Sequence, residues 1–265
     1  MRLVTYEDGF GRVDGDRIIP MGADLRTYLV NGVHEDGVPI ELRSVKLHAP
    51  VPNPSKVIGI GLNYRDFAEL TGQQIPELPI LFPKFANSII GPGDPIIIPP
   101  MCEQPDYEAE LAVVIGRAAR NVSADEALDY VAGYTCANDV TARDMSAKAG
   151  QWLWGKAIDS FLPMGPWLVT PDELEPQDPQ QLDILCTLNG EVLIDSTTRH
   201  MNTTVAGLIS HLSQIMTLVP GDVLLTGTPA GVGVNQDPPR WLKPGDEVTI
   251  SIQGIGDLTN TVAEA

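Results

Sequence analysis

Two glutamates, Glu108 and Glu110, stand two residues apart at the head of the apolar run 111–115. In an extended strand, residues i and i+2 share a face, so both carboxylates point the same way. Two carboxylates that close repel, and either one takes up a proton or a cation sits between them. Hard divalent ions favour such oxygen ligands; a solvated strand end is the plainer alternative. A third carboxylate, Asp139, ends the largely apolar run 134–138, and a helix opening at Thr141 sets Arg143 about one turn further on. Alone, that stretch reads more readily as a helix cap followed by a surface ion pair. Lys156 follows Trp152 and Trp154. A lysine in aromatic company can hold a carboxylate or enolate oxygen, although most lysines reach out to solvent. The glycine-rich segment 225–233 contains Thr228, whose hydroxyl can hydrogen-bond an anion. It lacks the lysine of a phosphate-binding loop, so nucleotide binding is a weak reading.

The elements that must position these groups are mostly strands. Turn signals at 6–9 and 13–16 separate short strands, and a helix is predicted over 23–30, stopped by Asn31-Gly32. Pro50, Pro52 and Pro54 mark a boundary between a small N-terminal module (1–50) and a main domain (51–265). Strands are predicted over 56–60, 94–98 and 111–115, and a short helix over 63–70 ended by Gly72. Ser123 and Glu126 form a capping box that opens a helix through Tyr130. Asn189-Gly190 between two apolar runs is a hairpin signal. Val205, Leu208, Ile209, Leu212, Ile215 and Met216 follow the helical period. Strands and helices do not alternate regularly, which favours a β-rich α+β fold over a doubly wound sheet.

The 265 residues are ample for a hydrophobic core. With 35 acidic and 17 basic residues the net charge is −18, a field that repels nucleic acid and anionic lipid. No apolar run approaches the ~20 residues of a membrane span, and charges interrupt the first residues where a signal sequence needs apolar ones. The three cysteines, Cys102, Cys136 and Cys186, show no paired spacing, which fits a reducing, cytoplasmic setting.

Taken in order, Gly61-Leu62-Asn63-Tyr64-Arg65-Asp66, Leu81-Phe82-x-Lys84, Glu108-x-Glu110, Asn138-Asp139-Val140-Thr141-Ala142-Arg143, Gly155-Lys156-x-x-Asp159-x-Phe161 and Thr226-Gly227-Thr228-Pro229-x-Gly231-Val232-Gly233 resemble the fumarylacetoacetate hydrolase family. The likeness runs from about Lys56 to the C-terminus, and it points to the branch of bacterial-type enzymes for 2-oxo acids and 2-hydroxy-dienoates. It implies a mixed β-sheet roll with a small N-terminal domain, a homodimer, and a Mg²⁺ site that also accepts Mn²⁺ or Ca²⁺. It further implies Glu108, Glu110 and Asp139 as metal ligands, Lys156 as the enolate-stabilising or proton-handling lysine, Thr228 as the binder of the substrate carboxylate, and Arg143 and Lys84 beside a small anionic 2-oxo acid. The implied chemistry runs through an enolate stabilised by the metal as Lewis acid.

The chain departs from the family pattern at one point. Many members carry a histidine, with a glutamate three residues later, that activates water for C–C hydrolysis. Those positions hold Phe67 and Leu70, and Glu69 is about 100° out of register. A glutamine common after the Asn-Asp motif is Ser146. Phe67 and Leu70 are expected to form one apolar face, either core packing or a lid. The four histidines, His34, His48, His200 and His211, lie outside the matched motifs and read as solvated or cap-like. The family-level expectation is an acylpyruvate-type C–C hydrolase. The missing pair favours an isomerase or an oxaloacetate-type decarboxylase as the alternative, and a non-catalytic metal-binding member is the second alternative.

Overall fold

The computed structural model describes residues 1–22, 24–32 and 35–265. The chain opens with three antiparallel strands, β1 (Arg2–Tyr6), β2 (Gly9–Asp14) and β3 (Arg17–Gly22), followed by α1 (Leu25–Asn31). The side chain of Asp24 accepts the Thr27 N–H at 2.8 Å to start α1, and Gly32 ends it in the left-handed conformation (φ 65°). The expected start of this helix at Ala23, and the expectation for His34, fall outside the described residues.

The elements that build the site come next: β4 (Val57–Gly61), α2 (Arg65–Thr71), β5 (Ile80–Lys84), β6 (Ala109–Ile115), β7 (Val131–Asn138), α3 (Arg143–Ala149), α4 (Leu153–Lys156) and β8 (Leu162–Val169). They are followed by the hairpin β9 (Asp183–Leu188) and β10 (Glu191–Thr197), then α5 (Val205–Ile215), β11 (Val223–Leu225), β12 (Glu247–Ile252) and β13 (Gly256–Glu264). Among the described residues, twelve strands join in one mixed sheet whose main path runs β3-β2-β1-β8-β7-β6-β11-β4-β5. β11 is parallel to β4 and antiparallel to β6. A five-stranded sheet, β10-β9-β12-β13 with Ile96–Ile98 at its edge, covers one face. The fold is the β-rich α+β arrangement expected. Residues 1–50 continue the large sheet, because Leu3 of β1 pairs with Leu168 of β8.

β6 is the spine of the molecule, with all seven residues buried. Leu111, Val113 and Ile115 enter a core shared with Ile184, Cys186, Ile250 and Leu258 of the second sheet. Ala112 and Val114 enter another with Leu3, Phe10, Leu25 and Leu168. Burial on both faces is why this strand reads as a continuous apolar run. Cys102, Cys136 and Cys186 are free and buried. Among the described residues no helix is long and apolar enough to cross a membrane.

Three local expectations need correction. Ser123 Oγ hydrogen-bonds the Glu126 carboxylate at 2.7 Å, which takes both side chains off the backbone they were expected to cap. The result is a single 3₁₀ turn over Ala127–Tyr130 rather than an α-helix. Thr141 does not open a helix. Thr141–Ala142 pair with Pro105–Asp106, and α3 begins at Arg143. The single apolar face expected of Phe67 and Leu70 is split: Leu70 is 57% exposed, while Ala68 faces inward, because Leu70 lies about 200° round the helix from Ala68. The Asn189-Gly190 hairpin does form, with both residues at positive φ (54° and 81°).

Replacing Leu111, which is fully buried at the centre of β6, tests the dependence of the fold on this strand. Leu111→Ala is expected to lower unfolding free energy by about 2–5 kcal/mol in urea titration; a loss below about 0.5 kcal/mol, typical of surface substitutions, would contradict it.

Candidate active site

The N-terminal end of β6 and the C-terminal end of β7 lie side by side, with Ala109 opposite Asn138. This pairing brings Glu108, Glu110 and Asp139 together, all three buried, with one oxygen of each within 4.8 Å of the others. Asn138 locks the corner by accepting the Glu108 N–H at 3.0 Å, and the Asp139 N–H donates to the Glu108 carbonyl at 2.9 Å.

Each carboxylate has a different partner set. Asp139 accepts from Lys84 Nζ at 2.7 Å and from Lys156 Nζ. Glu108 accepts from Lys156 at 2.7 Å and from the Thr141 hydroxyl at 3.2 Å, and Arg143 Nη2 lies 2.6 Å away. Glu110 accepts one hydrogen bond, from the Gly227 N–H at 2.8 Å. Gly227 is at φ 94°, and a Cβ there would lie 3.0 Å from the Ile60 carbonyl. Position 227 therefore needs glycine to aim this N–H.

The electrostatics follow from these contacts. Burial raises the Glu110 carboxyl well above its ordinary value, and Asp139 and Glu108 push it further. Burial would also raise Asp139, but Lys156 and Lys84 outweigh it and hold it low. Desolvation works against the Lys156 ammonium, yet Asp139 and Glu108 leave it raised. Burial brings Lys84 down to about 8, with the neighbouring Lys156 adding to the effect against the pull of Asp139. Four buried carboxylates, counting Asp106, thus face three cations, Lys84, Arg143 and Lys156. One more cation is needed, and Glu110 is the carboxylate least served. An all-oxygen donor set short of positive charge fits a hard divalent ion.

A cavity of about 430 Å³ opens onto this cluster, lined by Glu108, Glu110, Arg143, Lys156 and Thr228 among the expected residues. The Thr228 hydroxyl is buried and has no hydrogen-bond partner, which leaves it available to an anion. Lys84 does not line the cavity. It sits behind Asp139, with its three donors on Asp139, the Val140 carbonyl (3.1 Å) and the Phe161 carbonyl (2.8 Å). Its place in the structure is behind the cluster, supporting Asp139. Arg143 is tied at one nitrogen, its Nε donating to Asp106 at 2.8 Å, while its buried Nη2, 2.6 Å from Glu108, makes no hydrogen bond. Asp106 also accepts the Gly233 and Val234 N–H groups at 2.6 and 3.1 Å, and so holds the end of the Thr228 loop. The residue types did not reveal this role; the signal was its place two residues before Glu108 on the same extended segment.

Phe67 lines the cavity and Leu70 does not. None of the described histidines reaches the cavity. His200 Nδ1 lies 3.0 Å from Asp66 and 3.2 Å from Ser196 Oγ, a tether between α2 and the end of β10 on a side chain that stays partly open to solvent, in keeping with the solvated or cap-like reading.

This cavity sits inside a matched family region. Residues 56–263 match the model described as fumarylacetoacetate (FAA) hydrolase C-terminal. The chain belongs to the fumarylacetoacetate hydrolase family. It is 48% identical over 215 residues, 81% of its length and 68% of the relative's, to a protein named oxaloacetate tautomerase Fahd2a, mitochondrial, from Rattus norvegicus. Among solved structures it is similar over its whole length to 2-hydroxyhepta-2,4-diene-1,7-dioate isomerase from Mycobacterium marinum (36% identity, 98% of that chain, TM-score 0.86). It is also similar to the fumarylacetoacetate hydrolase from Exiguobacterium antarcticum (35% identity, 100% of both chains, TM-score 0.90). The family relatives are enzymes, and this chain is an enzyme of the same family; the non-catalytic alternative is set aside.

Glu110→Ala is expected to abolish Mn²⁺ binding measured by calorimetry, since it removes the carboxylate with the fewest protein partners. Binding equal to wild type would contradict a metal site at this cluster.

Proposed function

We propose that the protein is a divalent-metal-dependent enzyme that moves a proton at the carbon next to the carbonyl of a small 2-oxo acid, interconverting its enol and keto forms. The observation that carries this reading is the equipment of the cavity: Lys156 Nζ lies beside the carboxylate cluster and faces the cavity, and Phe67 lines it at the position where the family resemblance implies the hydrolytic histidine. Proton transfer to carbon needs one positioned acid–base group. C–C hydrolysis also needs an activated water, for which the cavity has no histidine among its lining residues. The tautomerase and isomerase names of two relatives support the same choice.

In this proposal Glu108, Glu110 and Asp139 hold the metal, with Mg²⁺ as the expected ion and Mn²⁺ or Ca²⁺ as substitutes. When bound, the ion supplies Lewis-acid stabilisation of negative charge on the 2-oxo oxygen. Thr228 Oγ donates to the substrate carboxylate. Lys156 Nζ, kept protonated by Asp139 and Glu108, donates its proton to C3 of the enol form while the enol hydroxyl gives up its proton to solvent, and Lys156 recovers one from solvent, so that no net proton is taken up. The Phe82 ring, 4.8 Å from Nζ, steadies the ammonium and keeps bulk water from that side. Arg143 fixes Glu108, and Lys84 fixes Asp139. The proposal includes a homodimer, on the family likeness, and a reducing, cytoplasmic setting, supported by three free buried cysteines.

The ultraviolet decay of enol-oxaloacetate, followed with Mg²⁺, tests the reading. Lys156→Met is expected to slow it roughly a hundredfold or more, and chelation of the metal is expected to remove the acceleration. Cleavage of an acylpyruvate into two acids, or release of CO₂ as the main event, would favour hydrolase or decarboxylase instead. Thr228→Val is expected to raise KM about tenfold, the loss of one hydrogen bond to a charged group, with little change in kcat; an unchanged KM would remove Thr228 from the carboxylate site.

A further inference from the structure

Asp106, Glu108 and Glu110 alternate along one extended segment and share a face. Glu108 and Glu110 belong to the metal cluster, and Asp106 does not. Asp106 is fully buried and takes its partners from two other segments. Its Oδ1 accepts the Gly233 N–H at 2.6 Å, and its Oδ2 accepts the Val234 N–H at 3.1 Å and Arg143 Nε at 2.8 Å. The approach of Arg143 is set locally: Asp106 pairs with Thr141 and Pro105 with Ala142, and the Arg143 N–H donates to the Gln104 carbonyl at 3.0 Å. On the other side, a Cβ at Gly233 would lie 2.6 Å from Asp106 Oδ1, so the close approach of that N–H requires glycine.

Two donors on the cavity lining depend on these contacts. Arg143 Nη2 is buried and makes no hydrogen bond, although it lies 2.6 Å from Glu108. The guanidinium is planar and its donors form a rigid fork, so a carboxylate that holds Nε decides where Nη2 points. The Thr228 hydroxyl is the second buried donor without a partner. Its loop hangs between the two outer carboxylates of the row. Gly227 N–H rests on Glu110 at one end, and the Gly233 and Val234 N–H groups rest on Asp106 at the other. Between them, the Tyr107 hydroxyl and the Gln236 amide donate to the Gly231 carbonyl at 3.1 and 2.8 Å. A buried donor left unsatisfied is costly, and two on the lining of one cavity fit an anion that completes them.

We propose that Asp106 is a positioning residue for substrate: this one carboxylate, outside the metal cluster, aims both free donors, Arg143 Nη2 and Thr228 Oγ, at the anionic groups of the 2-oxo acid. The placement of the substrate carboxylate at Thr228 rests on the proposed function above. Asp106 touches neither the substrate nor the reacting carbon; it acts through the guanidinium and the loop. Asparagine cannot take its place, because an amide has one acceptor oxygen and an NH₂ group that only donates. That NH₂ would face either the Gly233 N–H or the Arg143 and Val234 donors, and one of the two attachments would be lost.

Three readouts test the proposal. Oxamate, a 2-oxo acid analogue with no C3 to protonate, reports binding to the Mg²⁺-loaded protein without turnover. Ketonisation of enol-oxaloacetate reports KM and kcat, and Mn²⁺ calorimetry reports the metal cluster. Asp106→Asn is expected to weaken oxamate binding and raise KM about tenfold, with Mn²⁺ affinity retained and kcat changed less than about threefold. Added to Thr228→Val, it is expected to raise KM by no more than about threefold, since two changes acting through one loop are not additive. Val234→Pro deletes one of the Asp106 donors at a position that is 37% exposed, and is expected to weaken oxamate binding about threefold. Thermal melting checks folding, and Val234→Pro carries the test alone if Asp106→Asn does not fold. Oxamate affinity unchanged in folded Asp106→Asn, or in Val234→Pro where that variant stands alone, overturns the proposal. So does loss of Mn²⁺ binding or of kcat in step with KM, or full additivity with Thr228→Val. If oxamate binding depends on Asp106 but no variant, nor wild type, accelerates ketonisation, the proton-transfer reading fails and the positioning role stands.

Discussion

The constraint on which the site depends is a shortage of positive charge in a place without water. Glu108, Glu110, Asp139 and Asp106 are at most 5% exposed. Lys84, Arg143 and Lys156 neutralise three of them. Burying an unpaired carboxylate is costly enough that the group takes up a proton unless a cation arrives, and Glu110, whose carboxyl is driven upward by burial and by two neighbouring carboxylates, is the group in that position. The architecture supports this imbalance. β6 is buried on both faces and holds the glutamates rigidly, Asn138 closes the corner to Asp139, and Lys84 and Asp106 brace the cluster from behind and from the side. A site that lacks one cation in its free state is prepared for a divalent ion. With the ion bound, the excess turns positive and suits an anionic substrate approaching a protein of charge −18.

Glycine does a second kind of structural work around the cluster. At position 227 it lets a backbone N–H reach Glu110; at 59 and 61 it lets two aromatic rings press against a strand. Gly155 belongs with them, because a Cβ there would lie 2.4 Å from the Ala142 carbonyl. It permits α4 to pack on the segment leading into α3 and so brings Lys156 over the carboxylates. Four glycines in three chain segments thereby define the polar floor and the apolar wall of one cavity.

Much of this was legible in the sequence. The i, i+2 spacing of Glu108 and Glu110 follows from strand geometry alone, and the hairpin at Asn189-Gly190 and helix α5 follow from local turn chemistry and period. The juxtaposition of Asp139 with the glutamates depends on the pairing of β6 with β7, which local pattern does not specify; the ordered family motifs supplied it. The place of Lys84 behind the cluster was not legible, because a lysine's type says nothing of whether its three donors are already taken by Asp139, Val140 and Phe161. Leu70 was misjudged because α2 is anchored by Ala68, a small residue with little weight in an apolar pattern. The wall escaped notice for a related reason: Gly59-x-Gly61 is visible in the sequence, but what a glycine makes room for lies on other segments, at Phe82 and Trp152.

The central claim is that the buried carboxylates and Lys156 together transfer a proton at C3 of a 2-oxo acid without breaking a carbon–carbon bond. The most direct measurement is nuclear magnetic resonance of a 2-oxo acid enol ketonising in D₂O with the Mg²⁺-loaded protein. The account predicts accelerated appearance of the keto acid carrying one stereospecifically placed deuterium at C3, dependent on the metal and with the carbon skeleton intact. Keto acid formed without stereochemical preference and no faster than in buffer, or a skeleton cleaved into two acids, would contradict it.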